Sequence, residues 1–303
     1  MGSPPSLTER DHELLVSLFK YRYLSTPQVQ RLHFPSAQTA LRRLRRLSAH
    51  GYITTFKSTA CPDRIATLSR RGAETVAEQL SLSANDLGWA GHRQQPKDYL
   101  FLQHFLAASD FRITLTKACA EHSSVELLGF IPEHHVKPTS AGAIQRYIRD
   151  VITDTTDPRQ KLTHAPDAVF ALAHAGQPAL FFLEIDRGTE VLSNPDRGFL
   201  KMLRFYLTYL RDGGYQRYRD DFGVAEPLKG FRALVVTSSQ TRLRNIREVA
   251  RRLRFDPPQA RRFVWLGTLD TLSDPALLSR EWVPLDPDDE RRYSIAPDSR
   301  YSS

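Results

Sequence analysis

Cysteine is nearly absent from this 303-residue sequence: Cys61 and Cys119 are its two examples. Two cysteines support neither a disulfide framework nor a cysteine-liganded zinc site. Long apolar runs are missing as well, since stretches such as 179–183 and 233–236 fall far short of the roughly 20 residues that a membrane-spanning helix needs. The opening Met1-Gly2-Ser3-Pro4-Pro5 lacks a basic start followed by an apolar core, so no secretory signal is expected and the cytoplasm is the expected compartment. No glycine-rich phosphate loop of Walker or dinucleotide type occurs, and no G-x-S-x-G elbow, which removes support for an ATPase, a dehydrogenase or a serine hydrolase. Charged residues make up 25% and hydrophobic ones 41%, values that exclude a disordered chain, a collagen-like fibre and a coiled-coil rod. The length suggests about two domains.

What the sequence does have is positive charge in one place. Lysine plus arginine number 42 against 34 acids, and residues 1–97 hold 14 basic and 7 acidic side chains, so +7 of the net +8 lies in the first third. Clustered cations gain affinity for phosphates by releasing counterions. Nucleic acid is therefore the expected partner, contacted through the N-terminal third.

Helix signals fill that third. Thr8 precedes Glu9, Arg10 and Asp11 as an N-cap with first-turn acids, followed by Leu14, Leu15, Leu18 and Phe19 at helical spacing. Ser25-Thr26-Pro27 opens a second, short helix, and Ser36 caps a third that runs to His50-Gly51. On this third helix Leu41, Leu44 and Leu47 span an arc of about 120°, with Arg42, Arg43, Arg45 and Arg46 on the other side. No acid is interleaved with the four arginines, whereas a merely solvated helix face normally mixes signs. Residues 52–56 and 64–68 then alternate as two β-runs, and Ser69 caps a further helix over 70–80.

Three helices followed by a hairpin resemble a winged helix-turn-helix domain, here residues 1–80. That resemblance implies that Arg42, Arg43, Arg45 and Arg46 lie on the recognition helix in the major groove, with Lys57 and Arg64 on a wing against backbone phosphate. Residues 81–97 read as a linker.

From residue 98 helix and strand signals mix: a long apolar helix over 99–121, a strand at 125–131, a polar irregular stretch over 132–164 and two strands, 167–173 and 179–185, around Ala175-Gly176-Gln177. A helix opening at Asn194-Pro195, a strand at 231–236, a helix at 242–253 and a last strand at 263–266 complete the pattern. The α+β chain thus ends in a second domain over 98–283, followed by a tail over 284–303 whose Pro, Asp, Ser and Arg content predicts disorder.

The order of the second domain resembles the PD-(D/E)xK nuclease-like fold, carried by Pro166-Asp167 and Glu184-Ile185-Asp186. The resemblance implies that Asp167, Glu184 and Asp186 hold magnesium or manganese, which activates water and neutralises phosphoryl charge. Glu184 and Asp186 alternate onto one strand face, where both could turn towards Asp167. The sequence departs from the pattern at Asp186, where the fold's lysine would fall. Arg187 follows it, and Lys201 on the next helix could reach back as the catalytic cation.

As a whole the chain resembles the replication-relaxation family of plasmids and mobile elements. The residues carrying this are Leu68-Ser69-Arg70-Arg71-Gly72-Ala73, Leu102-Gln103-His104-Phe105-Leu106 with Asp110-Phe111-Arg112, Ala165-Pro166-Asp167-Ala168, and the string from Phe182 to Glu190. The resemblance implies duplex-DNA binding in plasmid replication, mobilisation or its transcriptional control. Two alternatives stay open: a metal-dependent nickase using the three acids, and a scaffold docking a relaxase, replication protein or helicase. A second copy of the chain is a further candidate partner, and a membrane is not. His164 could line the carboxylate site; the mixed-charge runs 217–221 and 286–292 read as solvated.

Overall fold

The computed structural model describes residues 7–59, 61–82, 87, 89, 99–138, 144–154, 157–188, 192, 194, 197–253 and 262–296. The chain is mixed α and β and divides into two compact units, residues 1–113 and 114–303.

Unit 1 follows the capping signals closely. Helix α1 (Glu9–Tyr21) begins at Thr8, whose N–H donates to Asp11 Oδ2 at 2.7 Å. Strand β1 (Leu24–Ser25) leads into α2 (Thr26–His33), where Ser25 and Gln28 cap one another reciprocally. Gln28 also donates to the Leu106 carbonyl at 2.8 Å, so this buried amide is satisfied at both ends. Helix α3 (Ala37–Ala49) starts at Ser36, strands β2 (Ile53–Ser58) and β3 (Cys61–Leu68) form the expected hairpin, and α4 (Arg70–Gln79) starts at Ser69. The two-residue β1 has no sequence signal of its own and exists because β3 offers it a free edge, giving the order β1-β3-β2. Leu14, Leu15, Leu18, Leu44, Leu47 and Val76 form the centre of the core, each contributing on the order of 1.5–3 kcal/mol by burial. Gly72 is required by packing: a Cβ there would stand 2.1 Å from the Tyr52 carbonyl oxygen, so α4 can lie against that backbone only without a side chain. Most of 81–97, expected as a linker, lies outside the described residues. Leu87, which is described, is buried in this core.

Helix α5 (Tyr99–Glu121) contains the boundary between the units. In unit 2, β4 (Val125–Pro132), β9 (Ala168–His174), β10 (Gln177–Asp186), β11 (Phe231–Thr237), β12 (Val264–Thr268) and β13 (Val283–Pro284) form a sheet ordered β13-β12-β11-β10-β9-β4. Pairs β10–β11 and β11–β12 are parallel, while the other three are antiparallel. Parallel neighbours need crossovers, supplied by α6 (Gly198–Asp212) and α8 (Gln240–Arg251). Both pack on the face carrying Leu180, Phe182, Ala233 and Val235. Phe182 is the hub, with ring centroids of Phe231, Tyr206, Tyr218 and Tyr209 at 4.8, 5.3, 5.6 and 6.0 Å.

Two stretches correct their sequence-based expectations. Residues 132–164 are not one irregular loop: they form the hairpins β5–β6 (Val136–Pro138, Ile144–Arg146) and β7–β8 (Asp150–Thr153, Lys161–His164). Their strands of three or four residues are too short to show periodicity, and side chains hold them in place. Asp150 accepts from Tyr209 Oη at 2.7 Å and Arg217 Nε at 3.2 Å, and Asp154 pairs with Arg204. The same contacts turn Arg217, expected in a solvated run, into an interior organiser that also donates to the Tyr147 carbonyl and the Tyr218 hydroxyl. The tail expected to be disordered is packed as far as residue 296. Leu285 is fully buried, Ile295 and Ala296 are buried, and Tyr293 bridges to Trp282 and stacks on Trp265 at 5.0 Å. Its polar composition masked a few apolar side chains that each fill a hole; residues 297–303 lie outside the described residues.

Candidate functional site

Two sets of charged residues were expected to act, and they are treated oppositely. On α3 the buried stripe is Ala40, Leu44 and Leu47, with Leu41 only partly covered. Arg42, Arg45 and Arg46 are exposed. Arg43 follows Ala40 by three positions and precedes Leu47 by four, so it lies on the inner stripe. It turns inward and forms a two-toothed ion pair with Asp11, which is only 1% exposed. Burial opposes the charge on Asp11, but the Arg43 guanidinium and the Thr8 donors outweigh it and hold the carboxyl below its usual range. The pair locks α3 to the start of α1. Sequence reasoning grouped all four arginines on one outer face and missed this division, although Asp11 was already read as a first-turn acid.

Beside the pair runs an open groove of about 660 Å³ lined by Arg10, Arg42, Arg43 and Arg46, with Phe34 and the acids Glu9 and Glu13 at its α1 side. Arg45 stands outside it. On the hairpin, Lys57 is exposed at the end of β2, and Arg64 is partly covered, with Nη1 3.4 Å from Thr55 Oγ1. Arg64 also anchors backbone, since its carbonyl accepts from the Thr26 hydroxyl at 3.0 Å.

The carboxylates of unit 2 are met by protein groups. Asp167 lies just before β9, where its Oδ2 accepts from the Ile185 N–H at 2.6 Å and its own N–H donates to the Leu183 carbonyl at 3.0 Å. Glu184 on β10 has its Oε1 2.6 Å from His164 Nε2 and accepts from the Tyr206 hydroxyl on α6. Burial pushes the Glu184 carboxyl up; His164 and Tyr206 offset part of this, and the neighbouring charge of Asp167 adds to it. Burial and the Glu184 charge push the Tyr206 phenol far up, so it keeps its proton and donates. Asp186 turns to α8, accepting from Arg242 Nε at 2.7 Å and Nη2 at 3.3 Å, and from the Gly188 N–H at 2.8 Å.

Among the described residues, Asp167, Glu184 and Asp186 do not form a group whose three ligand atoms all lie within 4.8 Å of one another. Glu184 is held from one helix by Tyr206 and Asp186 from another by Arg242. Lys201 is exposed on α6 and pairs with no acid among the described residues. Two residues near the acids were not in the expected set. His164 holds Glu184, as its position before Pro166 had suggested, and the Glu133 carboxylate lies within 4.8 Å of Asp167 while pairing with Arg146. Glu133 could not be found from spacing, because it lies 34 positions before Asp167, with two hairpins between them.

The model of one family, described as replication-relaxation, matches residues 15–224, which is more than two thirds of the chain and includes both charged sets. The chain belongs to the replication-relaxation family. No curated protein and no solved structure matches this replication-relaxation chain. Among its described residues, no helix is long and apolar enough to cross a membrane.

Proposed function

We propose that this replication-relaxation protein binds duplex DNA in the replication or mobilisation of a plasmid or other mobile element. In this proposal unit 1 is a winged helix-turn-helix domain with α3 as its recognition helix, and unit 2 is a PD-(D/E)xK-like scaffold that does not cleave. The observation that carries it is the exposure of Arg42, Arg45 and Arg46 on a helix without acids, held in place by the inward Arg43–Asp11 pair. Guanidinium groups on such a helix read guanine edges or hold phosphates, and Lys57 on the hairpin suits a backbone contact. The partnered states of Glu184 and Asp186 support a DNA-recognition role over nicking.

The test is binding of a fluorescent duplex, followed beside supercoiled plasmid with magnesium or manganese. Arg42→Glu with Arg46→Glu is expected to weaken binding at least a hundredfold with an unchanged melting temperature. Unchanged affinity at physiological salt would overturn the proposal. Nicking that disappears in Asp167→Ala would replace it with the metal-dependent nickase.

A further inference from the structure

Beyond the residues matched by the family model lies a second concentration of positive charge. Residues 98–303 together carry a net charge of only +1, yet positions 242–262 contain eight arginines and two acids. Arg242 is spent on Asp186. Arg244, Arg251 and Arg252 are exposed along α8, and Arg292 is exposed on the segment that follows β13. Arg247 sits between them. Its guanidinium donates to the backbone carbonyls of Asp286 at 2.9 Å and Asp289 at 3.3 Å, which fixes its position without neutralising it. Burial, then the charges of Arg292 and Arg251, press against the charge of Arg247, while Asp286 and Asp289 ease it.

Acids stand among these arginines as well. Glu248 lies 3.6 Å from Arg251 and 3.8 Å from Arg252 and can neutralise one charge between them. Asp289 is taken up by Arg291 at 2.7 Å and by the Tyr293 hydroxyl at 2.7 Å. Asp286 also eases the charge of Arg247, and Asp288 and Glu290 are exposed on the same segment. Arginine stays protonated in proteins, so the exposed Arg244, Arg251, Arg252 and Arg292 present their charge to solvent, where an external anion can meet it. Arg244 and Arg251 are two helical turns apart, about 10 Å along the axis. A row of that length matches a linear polyanion rather than a single phosphate group.

We infer that the exposed face of α8, with Arg244, Arg247, Arg251, Arg252 and Arg292, is a second contact for the phosphate backbone of DNA, carried by unit 2. This inference rests on the DNA-binding proposal and adds to it a sequence-independent contact made by a second unit of the chain. Because each phosphate neutralised steepens the salt dependence of binding, with a slope of about −0.9 per contact for duplex DNA, the second contact has its own signature.

The experiment uses the full chain and a random-sequence fluorescent duplex, titrated at several potassium chloride concentrations. Arg251→Glu with Arg252→Glu should weaken binding about tenfold or more and flatten the slope of log K against log salt by about 2, with the melting temperature unchanged. Arg251→Gln with Arg252→Gln should shift both in the same direction by less. If the 251/252 variants bind with the affinity and slope of the unmodified chain while Arg42→Glu with Arg46→Glu abolishes binding, the second contact is overturned and the DNA-binding proposal stands. If the unmodified chain does not bind the duplex at all, both are overturned together.

Discussion

On α3, Arg42, Arg45 and Arg46 stand in solvent and only Arg43 is drawn to an acid, whereas on β10 both carboxylates are met by side chains of the same unit. The difference follows from where each element sits. Helix α3 covers a core with one stripe and leaves its other faces to water, so charge there costs little and remains available to a partner. Strand β10 lies inside a six-stranded sheet between β11 and β9, and a carboxylate there loses hydration that protein donors must replace. Exposed cations that pair with no acid among the described residues suit recognition; largely covered acids held by protein donors suit architecture.

Three substitutions probe that contrast, beginning with the largest effect. Phe182→Ala should cost about 4 kcal/mol, the loss from emptying a buried aromatic site, because four aromatic rings pack around it. Urea denaturation would read this, and a loss below about 1 kcal/mol would show that the aromatic cluster does not organise unit 2. Next comes Asp11→Asn, at a buried acid of unit 1 that is met by an arginine as Asp186 is in unit 2. Removing the acid leaves Arg43 without its counter-charge and should cost about 3 kcal/mol, with the α3 helix loosened from α1.

The pH dependence of that second effect has a definite sign. The Asp11 carboxyl is held below its usual range in the folded chain, so its contribution is present above the unfolded value near about 3.9 and fades as pH falls through the folded value. The stability gap between the unmodified chain and Asp11→Asn should therefore be constant from about pH 7 to 5 and close below about pH 4. A gap that persists to lower pH would mean that the pair is not what joins the helices.

The smallest effect should come from Glu184→Gln. The amide oxygen can still accept from Tyr206, and removing a charge that burial disfavours offsets what the weaker contact with His164 loses. A midpoint shift within about 1 kcal/mol is expected. A loss of about 3 kcal/mol or more would show that the ionised carboxylate is indispensable to the fold, and would erase the contrast with the exposed arginines.

Much of unit 1 was legible in the sequence because its signals are local. Ser25, Ser36 and Ser69 cap helices over one turn, and Leu14, Leu15 and Leu18 repeat within one helix. The strands of unit 2 were legible for a related reason: β10 and β11 carry continuous apolar runs, as strands buried within a sheet do. The hairpins over 132–164 and the packed segment 284–296 were not legible, because they depend on partners such as Arg217 for Asp150 and Trp265 for Tyr293.

By itself, then, the sequence determined the capped helices, the β-runs, the family and the concentration of charge near the N-terminus, all properties of residues close together along the chain. Tertiary structure alone decided that Arg43 faces Asp11, that Glu184 and Asp186 part towards different helices, and that Glu133 lies beside Asp167. The physical reason is that the fate of a charge depends on its burial and on which opposite charge or donor comes within about 3 Å. Those distances are set by packing between segments far apart in sequence.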